Sequence, residues 1–179
     1  FLLGSGFGAL LHQRGLLLIH ANTIALNDKS CILFAGHSGK GKSTLAAEFI
    51  KAGYHFLSDD LSAIRFSKNG QPEVLPGYPY IKLWEQSLIH LGESPLQHSN
   101  VRPNEKKYRL DRHTHHWHRP LALKHMYALN FHKLDEIRFK TMNAINASEA
   151  LQHYIFKPKM AIKMGYSQQN FKKAGRLLN

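Results

Sequence analysis

The sequence predicts an α/β fold in which helices flank a mixed sheet, and three features carry that prediction. An apolar stretch, Ser30–Ala35, runs straight into the glycine-rich residues 36–43. From Lys42 the apolar spacing becomes helical, with Leu45, Ala46, Phe49 and Ile50 on one face. Short apolar runs bounded by turn residues, and further amphipathic stretches, then fill the rest of the chain. With 179 residues, 43% of them apolar, the chain can bury one sizeable core. No repeat or linker divides it, so the expected organisation is one domain over residues 1–179. The chain starts at Phe1 and stops on a helix, and the expectation is that both ends are incomplete.

Residues 7–12 read as a short helix stopped at Gly15. Residues 16–20 and 23–26 read as strands around Ala21 and Asn22. The turn Asn27, Asp28, Lys29 joins residues 23–26 to Ser30–Ala35 as a hairpin. The helix from Lys42 stops at Gly53. Residues 55–57 lead to the pair Asp59 and Asp60, and a strand over 61–66 closes in the turn 67–70. The Pro- and Gly-rich residues 75–80 lead into residues 81–84 and a helix to Leu91. Residues 92–104, polar with Pro95 and Pro103, read as a mobile loop. Strands are expected at 108–110, 121–129 and 136–141, the first two separated by a His-rich loop. Asn146 followed by Glu149 reads as a capping box opening a helix, and Ser167 as the cap of a last helix over 168–178.

Composition excludes several classes. No apolar run is long enough to span a bilayer, and residues 1–11 lack the basic leader and cleavage site of a signal peptide. The single cysteine, Cys31, forms no internal disulfide; it reads as a buried core thiol and suits a reducing bacterial cytoplasm. The net charge of +12 points to an anionic partner. The basic residues are spread along the chain, with no RNA-binding aromatic signature or zinc-finger spacing, so neither nucleic acid nor a membrane is expected.

Residues 36–43 read Gly-His-Ser-Gly-Lys-Gly-Lys-Ser, a phosphate loop between an apolar strand and an amphipathic helix. Gly36, Gly39 and Gly41 let successive backbone N–H groups turn toward phosphate oxygens. The following helix adds the positive end of its dipole. Lys42 reaches the β- and γ-phosphates as a point charge, and the Ser43 hydroxyl suits Mg²⁺. Ser38, Lys40 and Thr44 complete the expected nucleotide contacts, and the expected ligands are ATP and Mg²⁺. Asp59 and Asp60 follow an apolar strand, where a second acidic motif orients the metal. Two adjacent carboxylates divide naturally into one that holds metal and one that accepts a proton.

These residues resemble a known family. His20, the phosphate loop, Gly53 and the Asp59–Asp60 pair together look like the catalytic domain of HPr kinase/phosphorylase. The run Pro76, Gly77, Tyr78, Pro79, followed by Lys82, Leu83, Trp84, resembles its bacterial relatives still more closely. The resemblance covers roughly residues 10–155. It implies a serine kinase with the fold of ATP-dependent phosphoenolpyruvate carboxykinase. Lys42 and Ser43 match the phosphate and metal ligands, Asp59 the general base, Asp60 its carboxylate partner on the metal, and His20 a histidine beside the active site. It also implies an oligomer, a peptide or protein substrate carrying a serine, and, for some relatives, a lasso-peptide precursor. Residues 76–84 depart from the parent enzyme in lacking an acidic residue and an arginine. The alternatives are a kinase acting on free serine and a nucleotide sensor without catalysis.

Other candidates read as bland. His113, His115, His116 and His118 match no zinc spacing and read as a solvated loop. His37 reads as a solvent-facing loop position. Lys106 and Lys107 read equally as a solvated pair and as a contact for phosphate or an acidic peptide. Residues 132–135, His-Lys-Leu-Asp, lack the asparagine of a guanine-selective motif and read as a turn.

Overall fold

β3 (Ser30–Ala35) is the strand on which both halves of the core are built. Its side chains alternate, so Cys31, Leu33 and Ala35 enter one cluster while Ile32 and Phe34 enter a second. With both of its faces covered, β3 reads as an almost unbroken apolar run. A computed structural model describes residues 2–131 and 136–178, so the stretch 132–135 lies outside the described residues. Ahead of β3 come a π-helical turn (Leu2–Gly6), α1 (Phe7–Gln13), β1 (Leu17–Ile19) and β2 (Ala21–Ala25). After it come α2 (Lys42–Lys51), β4 (Phe56–Ser58), β5 (Ser62–Phe66), β6 (Pro72–Leu75), β7 (Tyr80–Trp84) and α3 (Glu85–His90). Then follow β8 (Ser99–Asn100), β9 (Lys107–Asp111), β10 (Leu121–Ala128), α4 (Ala144–His153), α5 (Pro158–Lys163) and α6 (Ser167–Arg176).

Among the described residues a seven-stranded sheet runs β1-β5-β6-β10-β3-β2-β4, and a three-stranded sheet runs β7-β9-β8. β10 pairs parallel with β3, while β2 pairs antiparallel with β3 and β4, so the large sheet is mixed. Leu151 of α4 and Ala174 of α6 pack on one face with Leu17, Leu57 and Val74. On the other, Ala46 and Ile50 of α2 and Leu88 of α3 meet Phe56, together with Ile81 and Leu83 of the small sheet. The molecule is therefore a mixed α/β fold with flanking helices. No described helix is long and apolar enough to cross a membrane. Burial pushes the Cys31 thiol up to about 12, so it is inert core, as its setting in β3 implies.

Several expectations are corrected. Residues 136–141 are not a strand: Ile137 and Phe139 alternate as a strand would, yet both stay exposed, and no described strand pairs with them. β6 was hidden because Pro72 and Glu73 are weak strand formers; Pro72 sits at its first position, where a missing N–H is tolerated. α4 starts earlier than the capping box implies, because the Asn143 side chain accepts from the Asn146 N–H at 2.8 Å. Ser167 lies inside α6 rather than capping it, and α5, opening on Pro158, was not anticipated. Residues 92–104 are tied down in part, since β8 pairs with β9.

The His-rich loop is not solvated throughout either. His116 is buried, with its Nε2 at 3.0 Å from the Leu57 carbonyl, which anchors the loop over β4. Burial lowers the pKa of His116, and of His12 on the buried face of α1, from the ordinary 6.5. The unfolded chain therefore binds protons on both more readily than the folded one. Their full contribution to stability holds above the ordinary histidine pKa and is lost as pH falls below it. The unfolding midpoint should drop from about pH 7 to about pH 5.5, with a shallower drop in His116→Gln. Equal slopes in the two proteins would show that His116 is not responsible.

Candidate active site

The loop after β3 is built where glycine is required. A Cβ on Gly36 would lie 3.2 Å from the Leu129 carbonyl oxygen, because β10 runs alongside. Gly39 and Gly41 have φ of 83° and 81°, in the left-handed region. The first helical bond of α2 is Leu45 N–H to the Gly41 carbonyl, at 2.8 Å. The N–H groups of Lys42, Ser43 and Thr44 thus have no acceptor within the helix and stand at its positive end. The buried Lys42 side chain crosses the loop: Nζ donates to the carbonyls of Gly36 at 2.8 Å and His37 at 3.2 Å, and lies 3.2 Å from His20 Nε2.

The aspartate pair sits in a tight turn beyond β4. Beneath it, the buried hydroxyls of Ser58, Ser62 and Thr23 form a chain with links of 2.9 and 2.8 Å, tying β4, β5 and β2 together. The Leu61 N–H donates to the Asp59 carbonyl at 2.9 Å, and Asp60 takes a φ of 71°. A non-glycine residue held there costs about 1–3 kcal/mol, a strain that concentrates at working sites. Residues 76–84 pass close over β4: the Gly77 N–H donates to the Leu57 carbonyl at 2.7 Å, and a Cβ on Gly77 would lie 3.1 Å from that of Ser58. That close pass delivers β7 to the aspartates.

Lys82 of β7 grips both. Its backbone N–H donates to Asp59 Oδ2 at 2.7 Å, and its ammonium donates to Asp60 Oδ2 at 3.0 Å. The Ser43 hydroxyl donates to Asp59 Oδ1 at 2.9 Å. His20 Nδ1 lies 2.8 Å from the Asp60 carbonyl and 3.2 Å from its carboxylate. Burial, reinforced by the Asp60 charge, raises the Asp59 pKa. Burial pushes Asp60 the same way, but Lys82 and His20 outweigh it and hold its carboxyl below the ordinary range. Burial and the neighbouring Lys42 lower the His20 pKa against the opposing pull of Asp60; burial also lowers Lys42 itself. Lys82 is raised, since the aspartates outweigh its burial.

His20, Lys42, Ser43, Asp59 and Asp60 are thus brought together as expected from the sequence. Ser43 contacts Asp59, whereas the expected metal pair was Ser43 with Asp60. The Thr44 hydroxyl is turned to Ser87 of α3, at 2.8 Å. Lys40 Nζ lies 4.8 Å from the Phe131 ring centre, and Ser38, Gly39 and His37 are exposed. Sequence reasoning missed Lys82 as a site residue. The signal was present in the alternation Tyr80, Lys82, Trp84 against the buried Ile81 and Leu83, which marks Lys82 as standing on the uncovered face of a strand.

Among the described residues no group of three or more His, Cys, Asp or Glu side chains is arranged to hold a metal ion. Mg²⁺ needs fewer: one or two protein oxygens, with phosphate and water completing its shell. The Ser43 hydroxyl and the Asp59 carboxylate are such a pair. No protein-family model matches this chain, and no curated protein sequence matches it.

Proposed function

We propose that the chain is a phosphate-loop nucleotide-binding protein equipped for phosphoryl transfer. More particularly, we read it as an ATP-dependent kinase of the HPr kinase type, acting on a serine hydroxyl of a peptide or protein, with a lasso-peptide precursor as the favoured substrate. The observation that carries this reading is the single cluster of Lys42, Ser43, Asp59, Lys82, Asp60 and His20 at the mouth of the phosphate loop. A nucleotide sensor needs the loop, but it has no use for a second carboxylate lining a pocket beside it.

The two aspartates exchange the roles expected from the sequence. Asp59 shares Ser43 and takes the metal side; Asp60 lines a pocket of about 220 Å³ beside Ser38 and takes the acceptor side. Mg²⁺ bound at Ser43 and Asp59 would neutralise charge on the β- and γ-phosphates. The loop N–H groups and Lys42 orient the phosphates. Asp60, kept ionised by Lys82, accepts the proton of the attacking serine hydroxyl. The serine oxygen bonds to the γ-phosphorus as the bond from that phosphorus to the β–γ bridging oxygen breaks, and ADP leaves.

The deciding assay offers ATP and Mg²⁺ with free serine, a folded carrier protein and a serine-containing precursor peptide in parallel, and reads added phosphate by mass spectrometry. Phosphate on the peptide serine is expected. Phosphate on free serine alone would replace this reading with a small-molecule kinase, and ATP binding without any transfer would replace it with a sensor.

A further inference from the structure

β10 lies beside β3 and runs parallel to it, so the two strands end on the same edge of the sheet. The Leu129 N–H donates to the Ala35 carbonyl at 2.8 Å, and the Leu129 carbonyl oxygen comes up against Gly36. The next residues of the chain, Asn130 and Phe131, therefore stand beside the phosphate loop. They stand on the side away from the aspartates, because the sheet order puts β10 on one flank of β3 and β2 and β4 on the other, and Asp59 follows β4 directly. Phe131 is 66% exposed and joins no core cluster among the described residues. A single exposed apolar side chain means little by itself; the neighbour of this one is what singles it out. The Lys40 ammonium sits over the Phe131 ring, whereas the Lys42 ammonium, from the same loop, lies against His20 on the aspartate side. A second aromatic ring at the loop, Tyr154, lies 5.7 Å from the His37 ring, but it is half-buried and its carbonyl accepts from the His20 N–H, so it belongs to the aspartate side as well.

A phosphate loop recognises a polyphosphate chain through backbone N–H groups and is blind to the base at its far end, which needs a wall of its own. An aromatic face is the usual wall, because every nucleobase has a π-face to stack on it. With the terminal phosphate at Ser43 and the aspartates, the nucleoside end of the chain is left to the β10 side. Resting on the nucleotide reading above, we infer that the Phe131 ring is the stacking platform for the base of the bound nucleotide. Lys40 makes the exchange possible. Its exposed contact with the ring is weak, and a phosphate oxygen is a stronger partner for an ammonium. On binding, the ammonium moves to the phosphate nearest the sugar, and the base takes the ring face that it leaves.

The full chain and its Phe131→Ala and Phe131→Trp variants are titrated by calorimetry with two probes, ATP and inorganic tripolyphosphate, each with Mg²⁺. Tripolyphosphate carries the phosphates without a base. Phe131→Ala should weaken ATP about ten-fold, the scale of one lost base–aromatic stack, and leave tripolyphosphate unchanged. Unchanged tripolyphosphate binding also shows that the variant is folded with its loop intact. Phe131→Trp should keep the ATP affinity, and ATP should quench the fluorescence of the introduced indole where tripolyphosphate does not. If Phe131→Ala leaves ATP binding unchanged, or weakens both probes alike, or if only tripolyphosphate binds the native chain, the base platform is overturned and the phosphate loop stands. If the native chain binds neither probe, the phosphate-loop reading falls and the platform with it.

Discussion

Asp60→Asn is expected to lower turnover about 10²–10⁴-fold with near-normal ATP affinity, the usual cost of losing a general base. The substitution isolates chemistry from folding. Asn has the shape of Asp and tolerates the left-handed backbone, so the φ of 71° at this position is no obstacle. What is lost is the carboxylate that lines the pocket and that Lys82 keeps ionised. Lys82→Met should act on the same group from the other side. Without the ammonium, burial prevails, the Asp60 pKa rises, and the acid limb of the turnover–pH profile moves to higher pH. Full turnover in Asp60→Asn with a collapse in Asp59→Asn would return the base to Asp59, the residue that the family resemblance implies.

Lys42→Ala is expected to fail at two levels. Its ammonium already spans the loop, bound to the Gly36 and His37 carbonyls. Removing a charge-assisted contact of about 1.5–3 kcal/mol should weaken ATP binding about ten-fold or more. Removing a preorganised charge from the transferring phosphoryl group should cost a further 10²–10³-fold or so in turnover. The His20 ring, 3.2 Å from that ammonium, would lose a neighbour that lowers its pKa, so its pKa should rise in the variant. A proton-resonance titration of His20 reads this directly; an unchanged His20 pKa would mean that the two groups are not coupled.

What was legible in the sequence follows a physical line. The strand–loop–helix unit of residues 30–51 was readable because each part has a local cause: alternation in β3, glycines in the loop, 3.6-residue spacing in α2. The juxtaposition of His20 with Asp60 came only through the family resemblance. Its cause is non-local, the antiparallel pairing of β1 with β5 that sets Ile19 opposite Ser62. The separate contacts of the two aspartates were not readable either. Which carboxylate Ser43 reaches is set by the turn at Asp60 and by the close pass of Gly77 over β4. Lys107 looked the same as Lys106 in the sequence, and only the β7–β9 register places it beside Trp84 in the pocket. The false strand at 136–141 shows the converse: alternation is necessary for a half-buried strand, but without a partner edge it produces none.

Every role proposed for the site requires that residues 36–43 bind ATP. Calorimetric titration of ATP with Mg²⁺ into the native chain and into Lys42→Ala tests it most directly. Saturable binding of one nucleotide per chain is expected, weakened about ten-fold or more in the variant. Absence of saturable binding to the native chain, or equal affinity in the two proteins, would contradict it.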